Sequence, residues 1–252
     1  MIPLRAGDAV AEVAPERGAI CSHLVLGGRE ALYLDRATLA DAQKNVRGGI
    51  PVLFPIAGKP PEGSPLAQHG FARNAQWEAL LLDGTNRLEC RLRSQPRDGY
   101  PFRCEALLAF TLSESALRVD FTLHNTGHDA LPFQLGFHPY FAVPDKAAAR
   151  VETQATQALD NRTGATGPFA APDFTQGELD LQLLDHREAR TVLHRPPLPP
   201  LRLSWSPEFR RLVLWTLPGK PFLCVEPWTE RGALRLDPGA VQRLWFEIAL
   251  AV

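Results

Sequence analysis

The sequence has no excess of charge of either sign and no long apolar run. Among its 252 residues, 27 Lys and Arg stand against 28 Asp and Glu, a formal net charge of −1. This balance offers no electrostatic reason to expect a nucleic acid as a partner. No stretch approaches the ~18 apolar residues of a membrane span, and charges interrupt the N-terminal "MIPLRAGDAVAEVAPERG" where a signal peptide has an apolar core. We therefore expect a cytoplasmic protein without a membrane partner.

Several signatures of cofactor chemistry are also absent. The sequence contains no G-x-G-x-x-G or Walker loop, no G-x-S-x-G and no H-E-x-x-H, so a nucleotide fold has no support. Its histidines and cysteines show no recognisable metal-ligand spacing, and we expect neither a metal nor a cofactor. The cysteines form no CxxC pair and have mostly apolar neighbours, which indicates reduced core thiols at Cys21, Cys90, Cys104 and Cys224.

Helical periodicity is scarce, and the best helical candidate is the short stretch 37–44. Alternation with period two dominates instead, and in residues 116–127 it places Leu117, Val119, Phe121 and Leu123 on one face. That pattern predicts a half-buried strand, preceded by a similar strand at 103–112 and a hairpin turn at 113–115. Further strands are predicted at 87–93, 201–205, 212–216, 222–225 and Val241–Leu250.

Proline is abundant, with 23 residues or about twice the usual ~5% share. Several prolines stand between strand candidates, as in "RPPLPPL" and "GKPPEGSP", and they predict loops, turns and sheet edges because proline cannot donate to a ladder. No internal repeat, linker or shift in composition marks a boundary. We therefore expect one all-β domain over residues 1–252.

Four stretches differ from ordinary strands and loops: "RGGIPVLFPIAG" (47–58), "QHGFARN" (68–74), "LGFHPYF" (135–141) and "CVEPWTE" (224–230). The first is too broken by proline for a central strand, so it should follow a surface or line a cleft. In the third, His138 stands among apolar residues, and desolvation would move its pKa below the usual ~6.5. In the fourth, Glu226 follows an apolar strand, where a carboxylate is costly unless it is paired or functional.

Each of these residues also has a purely structural interpretation. A lone histidine near apolar residues is more often a hydrogen-bonded structural group than a catalyst, and Glu226 alone is compatible with a salt bridge. Arg47 and Arg73 are compatible with solvated surface charges. Trp228 and Tyr140 fit a core or a rim. Taken singly, none of the four stretches supports a functional conclusion.

Taken together, in this order and spacing, the four stretches resemble the aldose 1-epimerase (hexose mutarotase) family. The likeness is closest to the branch that includes hexose-6-phosphate mutarotases and related bacterial aldose epimerases. It runs from about residue 17 to the C-terminus and is strongest at "RGGIPVLFP", "QHGFARNAQWE", "LGFHPYF" and "FLCVEPWT". The resemblance implies an all-β fold, a single large antiparallel β-sandwich of the galactose mutarotase-like kind. It also implies a small sugar as substrate, no cofactor, and a monomer or weak dimer.

The resemblance further implies roles for individual residues. Glu226 matches the family's general base, and His138, in the "HPYF" motif, matches its general acid. His69, in "HGF", matches a histidine that orients the sugar. To interconvert α and β anomers, an enzyme must remove a proton from the C1 hydroxyl and deliver one to the ring oxygen. One carboxylate and one imidazole of tuned pKa are sufficient for this, without a redox step.

The resemblance leaves the sugar and part of its pocket open. The aspartate that binds sugar hydroxyls best matches Asp180, with Asp160 and Asp185 as alternatives. The residues that match the 6-phosphate cradle of the phosphate-using relatives are Arg47, Gln68 and Arg73, and arginine binds phosphate bidentately. Hexose and hexose 6-phosphate remain equal expectations. Two other functions stay open: a non-catalytic sugar-binding or regulatory protein, and a glycoside-processing enzyme with Glu226 and Asp180 as its two carboxylates.

Overall fold

The computed structural model describes residues 1–81, 84–97 and 99–251, and these are built mainly of antiparallel β-strands. The strands are β1 (Ile2–Ala6), β2 (Ala9–Ala14), β3 (Ile20–Leu26), β4 (Arg29–Glu30), β5 (Val52–Leu53), β6 (Glu78–Leu81), β7 (Arg87–Ser94), β8 (Cys104–Leu112), β9 (Ala116–Asn125), β10 (Leu131–Phe133), β11 (Gly136–Phe137), β12 (Tyr140–Ala142), β13 (Arg150–Val151), β14 (Gln157–Asp160), β15 (Thr166–Pro168), β16 (Leu179–Leu183), β17 (Arg190–Arg195), β18 (Leu198–Trp205), β19 (Arg211–Thr216), β20 (Phe222–Trp228), β21 (Leu234–Leu236) and β22 (Val241–Leu250). The all-β prediction is confirmed.

Helical structure in the described residues is limited to α1 (Arg36–Ala40) and two 3₁₀ turns, Pro15–Arg17 and Ala72–Asn74. The helix predicted at 37–44 therefore starts one residue earlier and ends at Ala40. Asp35 determines its start, because the Asp35 carboxylate accepts the backbone N–H groups of Ala37 and Thr38. No helix in the described part of the chain is long and apolar enough to cross a membrane.

One eight-stranded sheet, the outer sheet, has the order β13-β17-β18-β22-β9-β8-β7-β6. Its long central strands follow the predicted alternation, since in β9 every second residue from Leu117 to Asn125 is buried. The hairpin turn at 113–115 is also confirmed, with the Ser113 N–H donating to the Ala116 carbonyl at 2.8 Å. A strand that buries one face and exposes the other is what period-two sequences produce.

The second eight-stranded sheet, the inner sheet, has the order β15-β14-β16-β19-β20-β11-β5, and β12 also pairs with β20. A continuous cluster of buried apolar side chains includes residues of both large sheets. Phe137 of the inner sheet stacks on Phe246 of the outer sheet with ring centroids 5.4 Å apart. The two sheets thus form a sandwich, and the smaller sheets β1-β2-β3-β4 and β10-β21 complete the fold.

Two features of the inner sheet differ from the sequence prediction. The strand predicted at 222–225 continues to Trp228, so Glu226 lies inside β20 rather than after it. Pro227 therefore stands in a central strand, which is possible because β11, on one side of it, ends at Phe137 and interrupts the ladder. The stretch 47–58 agrees with its prediction, because it forms no central strand: it contributes the short edge strand β5 and residues of a cleft.

Candidate active site

A cavity of about 980 Å³ opens on one face of the inner sheet. Paired residues of neighbouring antiparallel strands project to the same face, so the register of the sheet determines which side chains meet there. One row across β16, β19 and β20 consists of Gln182, Val213 and Glu226. The adjacent row, which continues into β12, consists of Asp180, Trp215, Cys224 and Tyr140.

The register also brings His138 and Glu226 together. β11 pairs with β20 at Trp228, and β12 pairs with β20 at Cys224. His138, midway between those two pairs, is therefore opposite Glu226. His138 Nδ1 lies 3.2 Å from Glu226 Oε1. Both predicted catalytic residues thus lie in direct contact at the floor of the cavity.

Glu226 is only 1% exposed, and burial raises the pKa of its carboxyl well above the usual range, with the Asp180 charge as a smaller cause. The Trp228 indole opposes this shift, since its Nε1–H donates to Glu226 Oε2 at 3.0 Å. Trp228 in turn requires a glycine beside it. A Cβ at Gly136 would lie 2.7 Å from Trp228 Cδ1, closer than real Cβ contacts.

His138 is 6% exposed, and its ring stacks on Tyr140 at 4.8 Å with an interplanar angle of 6°. Burial lowers its pKa well below the usual value, and the neighbouring His69 and Arg73 act in the same direction. Despite the short contact with Glu226, Nδ1 has no partner with hydrogen-bond geometry among the described residues. Burial therefore favours the neutral forms of both groups, whereas their contact favours the ion pair.

His69 has a left-handed backbone with φ at 68°, which is uncommon for a residue other than glycine. Its Nδ1 accepts the Gly58 N–H at 3.0 Å, so the neutral ring carries its proton on Nε2, near the Gln68 amide. Burial lowers the pKa of His69 to about 3, and the Arg73 charge contributes. His69 is thus a neutral N–H donor on the cavity wall.

The two predicted arginines line the cavity together with His138, whose pKa both of them lower. Arg47 is exposed and extends over Trp215, with its Cζ 6.0 Å from the ring centroid. Arg73 lies in the Ala72–Asn74 turn, is half-buried, and donates from Nη2 to the Val46 carbonyl at 3.4 Å. Gln68 is exposed at the rim. All seven residues predicted for the site line this cavity.

Among the three candidate aspartates, Asp180 lines the cavity and accepts a hydrogen bond from Asn161 Nδ2 at 2.8 Å. Burial raises its pKa. The other two do not line the cavity: Asp160 accepts the Arg162 N–H in a turn, and Asp185 accepts the N–H of the distant Thr156. The structure therefore favours Asp180 by position.

The sequence analysis missed several residues of the cavity wall. Trp215 and Arg211 come from β19, where the alternating pattern indicates only a strand, and Asn161 follows β14 without any motif. Arg211 pairs with Glu230 at the rim.

The sequence also gave no indication of one group of potential metal ligands, in which His138, Cys224 and Glu226 have ligand atoms within 4.8 Å of one another. Their sequence spacing contains no sign of this, because strand pairing brings them together.

Comparisons with known proteins agree with this architecture. The family model "Aldose 1-epimerase" matches residues 6–249. The Slr1438 protein of Synechocystis sp. PCC 6803 superimposes with a TM-score of 0.92 at 30% identity, covering 100% of this chain and 98% of that one. A galactose mutarotase-like protein from Lactobacillus casei, at 21% identity, shares the fold with a TM-score of 0.81 over the full length of both chains.

Among curated proteins, the "Putative glucose-6-phosphate 1-epimerase" of Cenchrus ciliaris is 27% identical over 263 residues, which cover 93% of this chain and 79% of that protein. The family model spans nearly the whole chain and includes every residue placed in the cavity. The sandwich predicted from the sequence is thus the galactose mutarotase-like sandwich. The chain belongs to the aldose 1-epimerase family and is an isomerase.

Proposed function

We propose that this enzyme interconverts the α and β anomers of a hexose 6-phosphate by opening and closing the sugar ring. The observation that carries the proposal is the contact of a buried imidazole with a buried carboxylate at the floor of a polar cavity. Glu226 removes the proton of the C1 hydroxyl while His138 protonates the ring oxygen. The C1–C2 bond then rotates, and the ring closes on the other face with the roles reversed.

The proton balance of this step suits the environment of the pair. Before ring opening, Glu226 is a carboxylate and His138 an imidazolium; afterwards both are neutral. The 3.2 Å contact and the Trp228 N–H stabilise the charged state, whereas burial stabilises the neutral state. Because these effects oppose each other, neither protonation state of the pair is so stable that the reaction stops there. A reaction that runs in both directions requires such a balance.

Two further side chains are proposed to hold the sugar. His69 presents its Nε2–H as a donor to a sugar hydroxyl, and it remains neutral because its pKa is about 3. Asp180, which lines the same cavity, accepts from other hydroxyls, and Asn161 holds its carboxylate in place. A donor and an acceptor in one cavity orient a polyhydroxylated ring.

The position of the arginines supports a phosphorylated substrate. In a hexopyranose, C6 is attached to C5, which is bonded to the ring oxygen. With the ring oxygen at His138, C6 lies two bonds from the protonated atom, and Arg47 and Arg73 line the same cavity and lower the pKa of His138. Guanidinium groups bind phosphate bidentately, and Gln68 can add an amide donor. The name of the Cenchrus ciliaris relative points to the same substrate class.

We also propose that the chain acts as one domain in the cytoplasm. Its main apolar cluster extends from Leu4 to Ile248, so both ends of the chain contribute to one core. The four cysteines are free and buried, which fits a reducing compartment.

Anomer exchange measured by NMR tests the proposed reaction. Glucose 6-phosphate, glucose and galactose are compared at catalytic enzyme concentration, with wild type, Arg73→Ala and Glu226→Gln. We expect the phosphorylated sugar to exchange fastest, and Arg73→Ala to remove that advantage while exchange of free glucose persists. Glu226→Gln should stop exchange of every sugar yet retain binding. Equal rates for all sugars would refute the phosphate assignment, and binding without exchange by wild type would instead indicate a sugar-binding protein.

A further inference from the structure

A third reactive side chain, which the proposed reaction does not use, is buried beside Glu226 at the floor of the cavity. Cys224 lies two residues before Glu226 on β20 and therefore projects to the same face of the inner sheet. It is fully buried between its pairing partners Trp215 and Tyr140. The ligand atoms of His138, Cys224 and Glu226 all lie within 4.8 Å of one another.

The spacing of these atoms is close to that of a tetrahedral metal site. With usual Zn–N and Zn–O bond lengths, a nitrogen and an oxygen ligand stand roughly 3.3 Å apart, and His138 Nδ1 and Glu226 Oε1 are 3.2 Å apart. A thiolate sulfur stands about 3.6 Å from such ligands. The Cys224 sulfur therefore has to approach by at most about 1.2 Å, which a rotation about its Cα–Cβ bond can supply.

A second observation also indicates a missing ligand. His138 is only 6% exposed, and its Nδ1 has no hydrogen-bond partner in the part of the chain that the structure describes. Unpartnered buried polar atoms are rare because they lose their hydration without compensation. This nitrogen is directed into the group formed by Cys224 and Glu226, where a cation would use its lone pair.

We propose that a thiophilic divalent cation such as Zn²⁺ binds His138 Nδ1, Cys224 Sγ and the Glu226 carboxylate, with its fourth position open to the cavity, and thereby inactivates the enzyme. The inhibition rests on the proposed function, because the metal occupies the acid and the base together. Binding displaces the thiol proton, and any proton shared by the other two groups, to solvent, without a redox change.

The donor set determines which cations fit. One nitrogen, one sulfur and one oxygen suit Zn²⁺ or Cd²⁺, whereas Mg²⁺ and Ca²⁺ require oxygen ligands. The charges of the nearby Arg47 and Arg73 disfavour a cation in the cavity. The thiolate and the carboxylate together supply two negative charges that offset this repulsion.

A titration of the full chain with Cd²⁺ tests the proposal, since Cd–thiolate bonds have an ultraviolet charge-transfer band that does not depend on activity. Wild type, Cys224→Ala and Cys104→Ala are compared by absorbance and by NMR anomer exchange. Cys104 is a matched control, because it is also a buried thiol but belongs to no such ligand group within the described residues. Cys224→Ser replaces Cys224→Ala if circular dichroism shows that the alanine variant does not fold.

We expect one Cd²⁺ per chain, a band in wild type and Cys104→Ala, and displacement of that band by Zn²⁺. Activity of these two proteins should fall at least tenfold and return when a chelator is added. Cys224→Ala should lose the band and the inhibition but keep its basal exchange rate. A band that persists in Cys224→Ala, or equal inhibition of that variant, overturns the proposal. A band in a wild-type protein without exchange activity would leave the metal site standing and refute the proposed function.

Discussion

Within the described residues, the Glu226 carboxylate accepts one hydrogen bond, from the Trp228 Nε1–H to Oε2 at 3.0 Å. Replacing Trp228 by phenylalanine removes it. Phenylalanine retains an aromatic ring beside Gly136 and Gly58, so the floor of the cavity should keep most of its packing. Hydrogen bonds to charged groups contribute ~1.5–3 kcal/mol. The indole bond stabilises the carboxylate form, which in the proposed reaction removes a proton from the C1 hydroxyl.

The expected result has two parts. Loss of about 1.5–3 kcal/mol at the base corresponds to a decrease in kcat/KM of roughly 10- to 150-fold near neutral pH. The pKa of Glu226, already raised by burial, should rise further, so the acid limb of the kcat/KM profile moves to higher pH. At alkaline pH the carboxylate form recovers, and part of the lost activity should return.

The assay is anomer exchange of glucose 6-phosphate followed by NMR over a range of pH. Trp245→Phe is the control for the loss of an indole group, since Trp245 lies in β22 of the outer sheet beside Arg118. An unchanged acid limb in Trp228→Phe would refute the argument that this hydrogen bond tunes the base. A uniform decrease at every pH would indicate a packing defect instead.

Three further predictions concern the packing beneath the cavity, the core between the sheets and the buried His69. Gly136→Ala should displace Trp228 and lower kcat while costing about 1–3 kcal/mol in urea unfolding, because its Cβ would overlap the indole. Phe121→Ala, in the fully buried core, should cost ~3–5 kcal/mol of unfolding free energy but leave KM unchanged. The pKa of His69 is ~6.5 in the unfolded chain and about 3 in the folded chain. The unfolded chain therefore binds more protons between these two pH values, and the free energy of unfolding falls as the pH drops from ~6.5 toward about 3. Between about pH 7.5 and 5.5, His69→Asn should remove ~1.4 kcal/mol of this pH dependence, with Asn chosen because it tolerates the left-handed backbone.

Each of these predictions has a clear contrary result. Gly136→Ala with wild-type kcat would mean that Trp228 is not held by this contact. A loss below about 1 kcal/mol for Phe121→Ala would contradict the close packing of the two large sheets. If His69→Asn unfolds with the same pH dependence as wild type, the low pKa of His69 is wrong, whatever the activity of the variant.

The strands of the outer sheet were predictable because their signal is local. A strand that buries one face must alternate in polarity, and β9 does so along its whole length and β22 from Leu244 to Ile248. The start of α1 depends on Asp35, whose side chain accepts the backbone N–H groups of Ala37 and Thr38. Proline was a poorer guide, because Pro227 occupies a central strand at a point where its neighbour β11 ends.

The sequence by itself determined the class of fold, the alternating strands and, through four ordered motifs, the candidate residues for proton transfer. Only the tertiary structure decided which of these meet. His138 and Glu226 are 88 positions apart by their numbering, and the register of β11 and β12 on β20 places them 3.2 Å apart. The same register adds Cys224 and Trp215, and it distinguishes Asp180 from Asp160 and Asp185. Strand pairing is a long-range property: its energy depends on both partners, so no single stretch of sequence contains it.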